Sequence, residues 1–157
     1  MLTVYRLRWR DAWFCWRLAR DPVVRENSLD RKKPGPFKHF SWMRHWHNNS
    51  HDEALAFILM IEGERVGLLR LWKSIYYPVE IGIAIHEDHR GEGYGAEAIT
   101  MGRGLARFWF PGQGLHAQIR VGNPASMTVF ERAGFESVDV LIGGIVLMVA
   151  RPQRGAS

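Results

Sequence analysis

Cysteine is nearly absent from this chain. Cys15 is the only one, so no internal disulfide can form and the fold must rest on its packed core. Long apolar runs are absent too. None approaches the ~20 residues that span a bilayer. Arg6, Arg8 and Arg10 interrupt the segment where a secretory leader would need an apolar centre. These shortages point to a cytoplasmic protein with no membrane partner. There is no internal repeat and no break in composition. Residues 1–151 therefore read as a single domain, with 152–157 as a loose tail.

Acidic residues are also in deficit. Sixteen Asp and Glu against 21 Lys and Arg leave a formal charge of +5, and the pI is about 9.8. Such a balance favours anionic partners. The basic residues are scattered, however. The one dense run, Arg31-Lys32-Lys33, reads as a solvated loop. A polyanionic small molecule is the simpler partner, and nucleic acid is the secondary one.

Periodicity and punctuation divide the chain into alternating elements. Leu2 to Arg8 reads as a strand, and Asp11 as the cap of a helix from Ala12 to Arg20 with Trp13, Trp16 and Leu18 in its apolar set. Asp21-Pro22 ends that helix, Pro34-Gly35-Pro36 marks a loop, and Ser41 opens a short helix through His47. Ala54–Ile61 and Val66–Trp72 read as strands joined at Glu62-Gly63-Glu64-Arg65. Val79 to Ile85 is almost continuously apolar, as a strand buried on both faces would be. A helix follows from Gly93 to Phe108, with Ala98, Gly102, Leu105 and Trp109 on one face. Leu115–Val121 is a strand, and Asn123-Pro124 caps and starts a helix that Gly134 stops. Two last strands flank Gly143-Gly144. The order is strand, helix, helix, three strands, helix, strand, helix, two strands. It describes an α/β (α+β) domain with a mixed sheet and helices on both sides.

The segment His89-Arg90-Gly91-Glu92-Gly93-Tyr94-Gly95 carries the most chemistry. It joins the apolar strand to a helix start, where backbone N–H groups are unpaired and the helix dipole is positive. Glycines let a phosphate approach the backbone, and Arg90 adds a charge. Two familiar phosphate loops do not fit. A P-loop needs Lys-Ser or Lys-Thr after its last glycine, and Ala96-Glu97 stands there. The dinucleotide fingerprint needs Gly-x-Gly-x-x-Gly in a first strand–helix turn.

The order Arg-x-x-Gly-x-Gly at Arg90, Gly93 and Gly95 resembles instead the pyrophosphate-binding turn of the GNAT superfamily of N-acetyltransferases. A second stretch, Gly122-Asn123-Pro124-Ala125-Ser126 through Gly134-Phe135, is similar to the GNAT helix that flanks the CoA arm. The resemblance spans almost the whole chain and implies the GNAT fold with acetyl-CoA as cosubstrate and no metal. It implies that the backbone from Arg90 through Gly91, Gly93, Tyr94 and Gly95 holds the pyrophosphate. Ile83, Ala84 and Ile85 would pair with the pantetheine arm, and Asn123 and Ser126 would flank it. Asn123 reads equally as a plain helix cap, and Tyr94 as a residue that fills the turn.

The implied reaction is direct acetyl transfer to an amine. Glu80, at the start of the strand carrying the acetyl group, is the candidate base, with a strand-edge surface carboxylate as the alternative reading. Many relatives carry a tyrosine on the last helix to protonate the leaving thiolate. The matching residue here is Phe130, which cannot donate a proton. Tyr76 and Tyr77 lie near the sheet end, but nothing in the sequence places them at sulfur.

The N-terminal third should shape the acceptor cleft. It holds Trp9, Trp13, Trp16, Trp42 and Trp46, five of seven tryptophans, beside His39, His45, His47 and His51. His39, His45 and His47 lack the helical His-x-x-x-His spacing of a metal site; His47 and His51 lie four apart, but Asn48-Asn49-Ser50 reads as the end of the helix. The segment Trp16–Ser28 and the pair His45-Trp46 are similar to nucleotide-amino-sugar and RimJ/RimL-like GNAT subgroups. Arg25 and Trp46 are the acceptor-binding candidates. The expected acceptor is a small primary amine such as an amino sugar. The alternatives are a protein N-terminal or lysine amine, a tRNA-linked amine, or no acceptor at all in an acyl-CoA sensor. A homodimer is left open.

Overall fold

The computed structural model describes residues 1–49, 53–75 and 78–151. Its elements are β1 (Thr3–Arg6), α1 (Ala12–Arg20), α2 (Pro22–Asn27), α3 (Pro36–Asn48), β2 (Ala54–Ile61), β3 (Glu64–Lys73), β4 (Val79–Ile85), α4 (Tyr94–Trp109), β5 (Leu115–Arg120), α5 (Pro124–Arg132), β6 (Glu136–Leu141) and β7 (Ile145–Ala150). The strands form one sheet in the order β1-β2-β3-β4-β5-β7-β6. Only β4 and β5 run parallel. No helix among the described residues is long and apolar enough to cross a membrane.

Strand alternation sorts the apolar residues onto two faces. Leu55, Leu69, Ile81, Ala117 and Met148 pack with Ala98, Ile99 and Ala106 of α4 and Phe130 of α5. Ala56, Ile58 and Leu68 face the other way, toward Cys15 and Leu18 of α1 and Met43 and Trp46 of α3. Each large apolar side chain so buried contributes about 1.5–3 kcal/mol relative to exposure.

The parallel pair matters most for function. β4 and β5 meet only through Val79↔Leu115 and Glu80↔His116. Beyond Glu80 no residue of β4 pairs with β5, while its other edge stays paired to β3 as far as Ile85. The sheet therefore splits, and Glu80 stands at the apex of the split.

Four local readings need correction. Asp11 does not cap α1. Its buried carboxylate instead accepts from Tyr5 Oη at 2.7 Å, the Arg8 N–H at 2.9 Å and Arg65 Nε at 2.9 Å, a better set of donors than one helix amide. Trp13 is not on the buried face of α1 and is 70% exposed; Cys15 and Leu18 take that face. Asp21-Pro22 ends α1 but also starts α2, with Asp21 Oδ1 accepting from the Val24 N–H at 2.9 Å. The α3 helix begins at Pro36 rather than Ser41, because proline at the first helical position is pre-set for the turn. His51, Tyr76, Tyr77 and residues 152–157 lie outside the described residues.

On α4, two interior glycines behave differently. A Cβ at Gly102 would stand 2.6 Å from Ile81 Cδ1 and 2.9 Å from Leu69 Cδ1, so glycine sets how closely the helix approaches the sheet. Gly104 faces open space and is exposed. Gly104→Ala is expected to stabilise the fold by about 1 kcal/mol. Thermal unfolding should register this as a rise in Tm of about 2–4 °C.

Candidate active site

The split between β4 and β5 opens into a cavity of about 520 Å³. Ile83, Ala84 and Ile85 line one wall, and Ile119, Asn123, Ser126 and Phe130 line the other. The α1–α2 region closes it from above with Val24, Arg25 and Leu29, and Trp42, Arg70 and Trp72 line it from the α3 side. The three β4 residues and both α5 candidates named from the sequence are thus brought together.

Asn123 does two things at once. Its Oδ1 accepts from the Ser126 N–H at 3.3 Å, capping α5, and it lines the cavity. Phe130 is buried edge-on against Phe135 at 5.0 Å, so an aromatic ring, not a hydroxyl, closes the wall there.

The turn after β4 has the form an anion site requires. Gly91 and Gly93 adopt φ of +79° and +86°, the left-handed region that favours glycine. The N–H groups of Gly91, Glu92 and Gly93 donate to no backbone carbonyl of the described residues, and α4 starts directly after them at Tyr94. A Cβ at Gly91, Gly93 or Gly95 would meet nothing within 4 Å, so the space above the turn is open. These residues fit a pyrophosphate. Two details differ from expectation. The Arg90 N–H is taken up by the Glu87 carbonyl at 3.4 Å. The Arg90 side chain is also committed, with Nε donating to the Ile85 carbonyl at 3.0 Å and Nη2 to Asp21 Oδ1 at 2.7 Å. Its charge ties the turn to α2 before it meets any ligand. Tyr94 is half-buried and packs against the core; like Gly91, Gly93 and Gly95, it does not line the cavity, which reaches the turn only at Arg90.

Burial pushes the Asp21 carboxyl up, but the Val24 amide and the Arg90 guanidinium outweigh it and hold the group below the usual carboxylate range. A carboxyl with a lowered folded-state pKa stabilises the fold above its unfolded pKa. That contribution is lost as pH falls through the lowered value, so the Asp21–Arg90 link is an acid-sensitive one.

Glu80 is buried at 7% exposure, lines the cavity and is not a surface carboxylate. Its Oε2 lies 3.2 Å from His116 Nε2 and 3.4 Å from Gln118 Nε2, which donates to it. His116 is fully buried, with Nδ1 3.0 Å from the Val79 carbonyl. A carbonyl only accepts, so Nδ1 carries a proton. Nε2 then faces a carboxylate oxygen, and that contact is attractive only when one further proton lies between them. The apex of the split is therefore a carboxylate–imidazole pair able to hold and pass a proton. The sequence reading missed His116. The signal was a lone histidine between apolar neighbours, Leu115-His116-Ala117.

Arg70 was missed as well. It is the one charged residue within the apolar run of β3, opposite Gly82 on β4. Its guanidinium carbon lies 5.3 Å from the ring centres of Trp46 and Trp72 and 6.0 Å from that of Trp42. Trp46 is itself buried behind this cation and does not line the cavity, unlike Arg25. The histidines named as a cluster do not converge. His39 bonds the Ala12 carbonyl at 2.9 Å, His45 packs edge-on against Trp46, and His47 bonds Asn48. Among the described residues no three metal-binding side chains meet.

Comparison with known proteins agrees with this architecture. The family model described as "Acetyltransferase (GNAT) domain" matches residues 2–136. No curated protein matches the chain. A spermidine N-acetyltransferase from Vibrio cholerae, solved with CoA and spermine, superposes with a TM-score of 0.80 at 19% identity, covering 96% of this chain and 95% of that one. An aminoglycoside acetyltransferase solved with coenzyme A and kanamycin gives 0.75 at 14% identity over 96% and 95% of the two chains. A domain from Methanocaldococcus jannaschii gives 0.81 at 18% identity over 96% and 98%. At such identities the likeness establishes the fold.

Proposed function

The chain belongs to the GNAT acetyltransferase family, and from that premise we propose that it transfers an acetyl group from acetyl-CoA to the primary amine of a small molecule. The observation that carries this reading is the split sheet. An open β4 edge and a buried carboxylate at its apex line one cavity, whose wall reaches Arg90 at the start of the glycine turn, and the amides of Gly91, Glu92 and Gly93 donate to no backbone carbonyl of the described residues. The amides of Gly91, Glu92 and Gly93 and the first turn of α4 would receive the pyrophosphate. The free edge at Ile83, Ala84 and Ile85 would pair with the pantetheine amides as an added strand, with Asn123 and Ser126 on the opposite side. Residues 1–151 would serve as one acetyltransferase domain.

In the transfer itself the amine nitrogen forms a bond to the thioester carbonyl carbon as the carbon–sulfur bond breaks. The proton of the amine passes to Glu80, directly or through one water, and His116 holds that carboxylate in place. A β4 backbone amide stabilises the negative charge on the carbonyl oxygen. Phe130 supplies no proton, so the leaving sulfur takes one from water.

The fold relatives bind a polyamine and an aminoglycoside, which supports a small amine here over a peptide, and the cavity volume of about 520 Å³ supports it further. The test is CoA release from acetyl-CoA across a panel of small amines, peptides and RNA, with acetyl-CoA affinity measured in parallel. Cys15 is buried, and burial pushes its thiol up to about 12, so the protein adds no fast-reacting thiol to a thiol-detecting assay. Turnover with a small amine is the expected result. Tight binding with no turnover on any arm would identify an acyl-CoA sensor instead.

A further inference from the structure

The charges on the cavity wall do not balance among themselves. Lys38 pairs with Asp30 at 2.6 Å, and Arg90 pairs with Asp21. Glu80 is engaged by His116 and Gln118. Arg25 and Arg70 remain. Arg25 donates only to neutral groups, the carbonyls of Asp30 and Lys32 and the hydroxyl of Ser28, with the Asp30 carboxylate, already bonded to Lys38, as the one anion that acts on it, and its Nε is buried without a hydrogen-bond partner. Arg70 donates to no hydrogen-bond acceptor among the described residues, although a guanidinium offers five N–H donors. Three tryptophan rings hold it from the protein side and leave its edge toward the cavity.

Burial pushes the guanidinium of Arg70 down, Glu80 offsets this, and the nearby charge of Arg25 adds to it. Two like charges therefore converge on one cavity. Both arginines are half-buried, and a partly desolvated charge gains from a partner; the partner that fits here is an oxyanion, because a guanidinium fork matches two oxygens.

The location tells what that oxyanion belongs to. A side chain at Gly82 would meet Arg70 Nη2 at 3.3 Å and the Trp72 ring at 3.1 Å, so the missing side chain lets Arg70 reach across onto β4. Gly82 is two residues from Glu80 on the same face of the strand. The cation thus stands next to the candidate base and away from the phosphate turn after β4.

We propose that Arg70, with Arg25 beside it, binds a carboxylate or phosphoryl group of the acceptor, so that the acceptor is an anionic amine rather than a polyamine. The proposal rests on the acetyltransferase reading above. One molecule then spans a polar axis, its amine at Glu80 and its oxyanion at Arg70. A polycation is repelled by the same pair of guanidiniums.

The test uses matched acceptors: ethanolamine with O-phosphoethanolamine, glucosamine with glucosamine 6-phosphate, and glycine and spermidine as single arms. The anionic member of each pair is expected to have the higher kcat/KM. Preference for glycine over the phosphorylated amines would identify the group as a carboxylate, and the reverse a phosphoryl group. Arg70→Gln should raise KM for the favoured anionic amine about 30-fold or more, with a far smaller change for its neutral partner, and Arg70→Lys should recover part of the loss. Acetyl-CoA affinity of both variants checks that they fold. Equal use of neutral, anionic and polycationic amines, or an equal loss on all of them in Arg70→Gln, overturns the proposal. A second readout is tryptophan emission, since Trp42, Trp46 and Trp72 surround the cation. Saturable quenching by O-phosphoethanolamine or glycine, lost in Arg70→Gln, supports the site even if nothing is acetylated, in which case only the acetyltransferase reading falls. Absence of any quenching, with acetylation of neutral amines intact, sinks the anion site and leaves the enzyme.

Discussion

Replacing Glu80 with glutamine is expected to lower kcat by about 10²–10⁴-fold, the range over which a positioned base acts, while acetyl-CoA affinity stays near its wild-type value. Glutamine keeps the size and shape of the side chain but cannot accept the proton of an ammonium. The structure makes the experiment decisive because Glu80 has a competing role. It sits at the last paired position of β4 and β5 and touches His116 and Gln118 on β5. A carboxylate that merely held the strands together would, when replaced, lower Tm and weaken acetyl-CoA binding together with turnover. A base loses turnover alone.

Much of the scaffold was legible because its signals are local. Asn123-Pro124 and Gly134 bracket α5, and Val79–Ile85 reads as a buried strand with the bounds it has. The same Asx-Pro signal at Asp21-Pro22 went half-read. It ended one helix and also began another, because a residue that stops α1 can cap α2 through its side chain. The glycine turn was legible for the same local reason: glycines at the junction of a strand and a helix, two of them in the left-handed region. What stayed hidden depends on distance. Asp11 prefers Arg65, which is far along the chain, to the helix beside it. Arg90 is bound to Asp21 rather than free for a ligand. His116 and Arg70 each stand among apolar neighbours in sequence. Only strand register shows that one meets Glu80 and the other lies across Gly82 in a ring of tryptophans. A lone charged or histidine residue inside an otherwise buried strand was the available clue. It marks a polar group that must find a partner across the sheet or in a ligand.

Gly95→Val is expected to weaken acetyl-CoA binding about 10- to 100-fold, as an added side chain does when it fills occupied space, without lowering Tm. The two halves of this expectation come from separate facts. Gly95 is the second residue of α4, its φ is not in the left-handed region, and a Cβ there meets nothing in the protein within 4 Å. The fold therefore has no steric need for glycine, and a side chain removes conformational freedom from the unfolded chain. A phosphate that binds the amides of a helix start has to approach the backbone closely, and it would compete with that side chain for the same space. Gly91 and Gly93 cannot separate the two effects, because their positive φ would strain any substitution by roughly 1–2 kcal/mol. Gly102 tests only packing, since its Cβ would collide with Ile81 and Leu69. Gly95 is thus the position where stability and cofactor affinity are expected to part. Affinity that holds while Tm holds would place the cofactor away from this turn. A joint fall would show that glycine serves the helix start itself, and only a fall in affinity alone fits a pyrophosphate resting on the first turn of α4.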